Sequence, residues 1–368
     1  MFRWLFELIK RLFGNKGGGN ELPPPEEKRI ICPHCLANIP HKPNLKVCSN
    51  PECDYVFPIE YLRHFETTAP MFLQVFGWTQ HGKTMFLDVL RLILMDSMED
   101  FWHRYDFAAV TDLDQQHQNV LRMDRQNGRP PGTTPKRERS DNEVYVNKLQ
   151  NMERWGNRFL VIMDHAGEQF ESVENIPADE IPYLIKTQTT FMIISLSDIA
   201  EARENNTVVG GTSIDQLLQN YITTMTTFDV DLFSVRRNLI VVLTKADKIE
   251  SLPPNLQSYL VEDEIYQASL EHRDQDILHG VKLAEYIERM ERVSNAIEKW
   301  IQSDPFARSL GGNRFVTKAE NNNIHTRYCL ISATGQDVVD ENKQPLGVQI
   351  MPRRVLDPFF WALELQSH

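Results

Sequence analysis

Residues 76 to 84 read FGWTQHGKT, and no other stretch narrows the possible folds of this chain as far. Glycine, four residues and Gly-Lys-Thr is the spacing at which a short loop wraps a phosphate. Such a loop works only between a strand and a helix, because the helix N-terminus supplies converging amides and a favourable dipole for the anion. Both flanks are legible. Phe72 to Val75 is a short apolar strand, and MFLDVLRLILM repeats Phe86, Val89, Leu90, Leu92 and Ile93 at helical spacing. In that setting the backbone of Thr79, Gln80, His81 and Gly82 lines the phosphates. Lys83 neutralises them, and the Thr84 hydroxyl ligates Mg2+.

Further β-rich runs follow: EVYVNKL, FLVIMD, TFMIISLS, NLIVVLT and, last, YCLISA. Helix-length segments separate them, among them a long amphipathic stretch over 282–303 and a closing one near 355–365. Strands alternating with helices predict an α/β fold with a mostly parallel sheet flanked by helices. Residues 112–142 carry few apolar anchors and include NGRPPGTTPKRERSDN, which predicts one long loop.

Three strand ends bear on the nucleotide. In RFLVIMDHAGE the apolar strand stops at Asp164, placed to reach magnesium through water, and Gly167 three residues on offers an amide to a γ-phosphate. In NLIVVLTKADKIE the strand is followed by Thr244, Lys245 and Asp247. A carboxylate at Asp247 accepts from both N1–H and the 2-amino group of guanine; adenine has no such donor pair and would leave the carboxylate unpaired. The Lys245 stem packs along the base. In CLISATG, Ser332 and Ala333 end a strand, with the Ala333 amide available to guanine O6.

These four elements, in this order and at strand ends, resemble a Ras-like P-loop GTPase of the translation-factor class over about residues 70–366. Within that class the chain is similar to bacterial double-GTPases of conflict and defence systems, on the PPGTTP loop and the closing MPRRVLDPFFWAL. The resemblance implies GTP and GDP as ligands, Mg2+ as cofactor, and a switch threonine on the metal and the γ-phosphate, Thr133 with Thr134 beside it. It also exposes departures. Thr244 stands where an asparagine amide usually braces the phosphate loop. Glu168 stands where a glutamine orients the attacking water, and it has no amide to donate to the transferred phosphoryl group. Thr79 replaces an inner glycine. Slow turnover without a partner is the expectation, with Lys83, Glu168 and Thr133 as the groups at the reacting phosphate. Arg129, Arg137 and Arg139 read as a solvated loop face. The alternative is a GTP-binding scaffold with little turnover; an ATPase of another phosphate-loop branch requires the Thr-Lys-x-Asp run to be coincidental.

Four of the five cysteines fall within residues 32 to 53, as Cys32-x2-Cys35 and Cys48-x4-Cys53. Two pairs at this separation suit a tetrahedral, closed, structural Zn2+ site in a ribbon over 29–60. His34 and His41 are alternative ligands, and contact with another protein is the ribbon's expected use. Cys329, alone in an apolar strand, reads as core. At the N-terminus, MFRWLFELIKRLF places eight large apolar residues on one arc of a helical wheel, with Arg3, Glu7, Lys10 and Arg11 opposite. Residues 14–28 read as a linker. Residues 1–13 are too few to span a bilayer, so this helix docks on the protein's own core, a second copy, a partner or a membrane surface.

The net charge of −12 argues against nucleic acid as a general partner. Clustered cysteines without a leader-like N-terminus predict a cytoplasmic protein, peripheral at the inner membrane face if residues 1–13 bind lipid. The expected partner is a protein, a second GTPase among the candidates.

Overall fold

The computed structural model describes residues 28–102, 104–126, 144–164, 181–205, 213–229, 231–234, 236–265, 280–335 and 351–366. The amphipathic segment 1–13, Thr133, Thr134, Gly167, Glu168 and the three loop arginines lie outside them.

Strands β1 (Arg29–Ile31) and β2 (Asn38–Pro40) pair antiparallel at the start of the described chain. The remaining strands are β3 (Ala69–Gly77), β4 (Asp106–Ala109), β5 (Tyr145–Met152), β6 (Gly156–Asp164), β7 (Thr189–Ser195), β8 (Arg237–Thr244) and β9 (Ile324–Leu330). They form one seven-stranded sheet in the order β4-β5-β6-β3-β7-β8-β9. From β6 to β9 every neighbour is parallel, and β4-β5-β6 add an antiparallel edge. The mostly parallel α/β sheet is therefore as expected. The last strand begins earlier than YCLISA and ends at Leu330, before Ser332.

Period-two alternation explains how the sheet is covered. Phe191, Ile193, Ile240 and Val242 face one core with the helix Lys83–Asp96 and the closing helix Asp357–Gln366. Met192, Ile194, Leu239, Val241 and Leu243 face the other, under the helices Ile214–Phe228 and Gly312–Asn321. Cys329 is buried in the first core.

That second face is only half covered by helices. Over β5 and β6 the cover is the cysteine-bearing ribbon, which shares a core with Val146, Phe159 and Val161. Tyr61 of the short helix Ile59–His64 packs its ring 4.7 Å from that of Phe159 and donates to the Ile31 carbonyl at 2.7 Å. Lys186 donates to the Cys35 carbonyl at 3.2 Å. The ribbon thus braces the sheet of its own chain.

One expectation is corrected. Residues 112–126 form a helix, Asp112–Gln126, and not the first half of a long loop. Its buried positions are Asp114, Gln118 and Leu121, a stripe at helical spacing that is two-thirds polar and so invisible to hydropathy. The Thr111 hydroxyl accepts from the Asp114 amide at 3.1 Å and donates to its carboxylate at 2.6 Å. Asp114 also accepts from the Val146 amide of β5 at 2.9 Å. The Thr-x-x-Asp start was in the sequence as a helix signal.

Candidate nucleotide site at the strand ends

Parallel register brings the C-terminal ends of β6, β3, β7, β8 and β9 to one edge: Val75 is opposite Asp164, Gly77 opposite Ile193, Ser195 opposite Thr244, and Leu243 opposite Leu330. Open α/β sheets bind ligands at such an edge. Gly77, the first glycine of the phosphate-loop motif, is needed for that closeness. A Cβ there would lie 2.8 Å from the Ile193 carbonyl oxygen.

The loop after β3 is shaped from within. His81 is fully buried, its ring set edge-on to Trp78 at 5.4 Å, and its Nδ1 accepts from the Ser195 amide at 3.3 Å. The bulky residues between the two motif glycines are therefore the packing that fixes the loop. Gln80 and Gly82 take left-handed backbone, φ 71° and 80°, which turns the chain into the helix. Thr79 and Gln80 are exposed at the rim. Lys83 opens the helix, and its ammonium lies 3.1 Å from the Asp164 carboxylate at the end of β6. Thr84 follows in the first turn, half-buried.

The β8 end is tied to this loop twice. Thr244 donates its hydroxyl to the His81 carbonyl at 2.7 Å and to that of Ile194 at 3.3 Å. The expected loss of a brace at Thr244 is thus corrected: a hydroxyl only two bonds from Cα reaches the loop because the end of β8 lies against His81. Lys245, itself left-handed at φ 52°, donates to the Gln80 carbonyl at 3.2 Å and pairs with Asp198 at 2.6 Å. Asp247 follows in the turn Ala246–Lys248, and its Oδ1 is buried without a hydrogen-bond partner among the described residues. The Ala246 amide donates to the Ile331 carbonyl at 3.0 Å, bringing the Ser332 and Ala333 loop beside this turn.

Asp198 and Ser195 were missed in the sequence. Ser195 caps the helix Leu196–Glu204 by accepting from the Asp198 amide at 3.3 Å. Ser-x-x-Asp after an apolar strand was legible as a helix start; that its acid meets Lys245 was not.

A second cluster lies in the ribbon. The sulfurs of Cys32, Cys35, Cys48 and Cys53 are buried and all within 4.8 Å of one another. Cys32 to Cys53 is 3.9 Å and Cys35 to Cys48 is 3.7 Å. Four thiolates about 2.3 Å from a tetrahedral Zn2+ have edges of about 3.8 Å, so the donor set fits a closed site. Burial pushes the Cys53 thiol up to about 12 and raises Cys32 as well. Burial raises Cys35 too, but hydrogen bonds from Asn50 and its neighbours leave it lowered overall. His34 places Nδ1 3.4 Å from the Cys53 sulfur and stacks on Tyr55, the position of a hydrogen-bonding neighbour. The His41 ring packs on Phe65, away from the cluster.

Among the described residues, no helix is long and apolar enough to cross a membrane.

Solved structures similar to this chain include the signal recognition particle receptor SRb-GTP/SRX complex from Chaetomium thermophilum, at 12% identity over 73% of this chain and 93% of that one, TM-score 0.33. Another is the cytosolic domain of the T. maritima FeoB iron transporter in a GDP form, at 9% identity over 82% and 98%, TM-score 0.21. No curated protein matches the chain. The Double-GTPase 2 family model matches residues 71–301, from the strand before the phosphate loop through the long helix. By that match and the strand-end arrangement it spans, the chain belongs to the Double-GTPase 2 family, a family of P-loop GTPases.

Proposed function

We infer that this protein is a guanine-nucleotide switch that hydrolyses GTP slowly. The observation that carries the reading is the buried Oδ1 of Asp247, without a hydrogen-bond partner among the described residues, two residues from a lysine that is bonded to the phosphate loop. A buried carboxylate oxygen without a donor is costly in isolation, and guanine supplies the donors.

In this reading the loop amides and Lys83 hold the phosphates. On binding, Lys83 exchanges its contact with Asp164 for the β- and γ-phosphates, freeing that carboxylate for the magnesium shell with Thr84. Mg2+ supplies charge neutralisation on the phosphates. Thr133, Gly167 and Glu168, on the two segments flanking the site in sequence, complete the γ-phosphate sensor. A glutamate in place of the usual glutamine supports slow intrinsic turnover. The four ribbon cysteines hold a structural Zn2+. The family resemblance supports a bacterial conflict system as the setting, with a protein partner, in the cytoplasm or at its membrane face.

The test is base preference. Asp247→Asn keeps one acceptor for N1–H but sets an amide donor against the 2-amino group of guanine, where xanthine has a carbonyl, and should move preference from GTP toward XTP by about two orders of magnitude. An unchanged preference in the folded variant sinks the assignment. Single-turnover phosphate release from the wild type, with and without partner, reports the rate.

A further inference from the structure

The residues after β9 return to the guanine end of the site. The Met351 amide donates to the Thr334 carbonyl at 2.9 Å, and Ser332 and Arg353 exchange amide-to-carbonyl bonds at 3.1 and 2.7 Å. Met351–Arg353 is thus a short antiparallel strap along the Ser332–Gly335 loop. The contact is close. Gly335 sits at φ +74°, and a Cβ there would lie 2.5 Å from the Met351 carbonyl oxygen and 2.8 Å from the Met351 Cβ.

The strap is riveted at Arg354, 1% exposed and left-handed at φ 55°. Its guanidinium lies 3.8 Å over the Tyr259 ring and donates to the carbonyls of Tyr259, at 2.7 Å, and Glu262. Its amide donates to Asp263 at 2.5 Å. Tyr259 belongs to the helix Pro254–Val261, the first helix after the turn that carries Asp247. One buried arginine therefore joins the strap on one base-facing loop to the helix that follows the other. A guanidinium with this many fixed acceptors is rigid and costly to displace.

We propose that the strap Met351–Arg353, held by Arg354, is a positioning element for base recognition. It fixes the Ser332–Gly335 loop against the Asp247 turn, so that the Ala333 amide and the Asp247 carboxylate meet one guanine ring together. The element lies beyond the region matched by the family model, which ends at residue 301. It rests on the guanine reading given above.

The experiment separates base from phosphate. In the full chain, Gly335→Ala forces the loop and strap apart, and Arg354→Lys removes the guanidinium fork. Each variant is checked by thermal melt, and so either one that folds decides. Dissociation of a fluorescent GDP should speed up about tenfold, the order of one lost hydrogen bond to the base. The dissociation constant of inorganic pyrophosphate, which needs only the phosphate loop, should be unchanged. An unchanged GDP dissociation rate in a folded variant overturns the proposal, as does an equal weakening of pyrophosphate. If Asp247→Asn leaves base preference untouched, the guanine reading itself fails. If Asp247→Asn shifts preference and the strap variants change nothing, only the strap fails.

Discussion

Thr244 ends the strand that leads to the Asp247 turn, and its hydroxyl is bonded to the carbonyl of His81 in the phosphate loop at 2.7 Å. The phosphate loop and the strand end before Asp247 are thereby one mechanical unit, though the two bonded residues are 163 apart in the chain. Thr244→Val keeps the shape and leaves that buried carbonyl without its donor, a cost of about 1 to 3 kcal/mol. Nucleotide affinity should fall about tenfold, while Thr244→Ser stays near wild type. Calorimetric titration with GDP checks this, and equal affinities for the two variants would count against the tie.

Asp198 and Lys245 are partly exposed, at 23% and 32% for their side chains, so their pair is worth at most about 1 kcal/mol. Asp198→Asn should weaken GTP binding only a few-fold. Because the lost term is an ion pair near solvent, the wild-type advantage should shrink at high salt. Titrations at low and high ionic strength test it; a gap independent of salt points to packing instead.

Asp357 is fully buried, accepts from Tyr259 at 2.5 Å and also from Tyr286, and faces Arg354 and Asp263. Burial raises its carboxyl from 3.8 to about 6, against the lowering pull of Arg354 and the two phenols. The folded state therefore holds this proton more tightly than the unfolded chain between those values. Its stabilising contribution is fullest below pH 3.8 and is lost as pH rises through about 6, by up to roughly 1.4 kcal/mol per pH unit. Asp357→Asn removes that slope. Denaturant melts of both proteins from pH 4 to 7 should converge or cross, and parallel profiles would reject the assignment.

The cysteine site is predicted to hold about one Zn2+ per chain. Cys48→Ser should abolish it and destabilise the protein by at least about 3 kcal/mol, since structural zinc contributes directly to folding. The loss should also uncover Phe159 and Val161 on the sheet, which the ribbon covers, and raise binding of a hydrophobic dye. Metal analysis, melts and dye fluorescence report the three effects. A metal-free wild type of equal stability would overturn the site.

The order of strands and helices, the phosphate loop and the Cys pairs were legible in the sequence because each rests on local spacing: period-two alternation, helical repeats, and a loop motif between them. The run Thr244-Lys245-Ala246-Asp247 was likewise legible as the segment that follows an apolar strand, and the structure sets Asp247 in the turn after β8. The helix Asp112–Gln126 was hidden because its buried face is polar, and hydropathy does not register a carboxylate that is satisfied by Thr111 and Val146. What only tertiary structure decided is which distant groups meet. Thr244 replaces the expected amide brace because β7 and β8 bring its hydroxyl to His81. Asp198 meets Lys245, the ribbon covers β5 and β6, and Arg354 rivets the closing segment to Tyr259. Those pairings depend on the register of parallel strands, and parallel register is set by crossovers and packing far outside any local window.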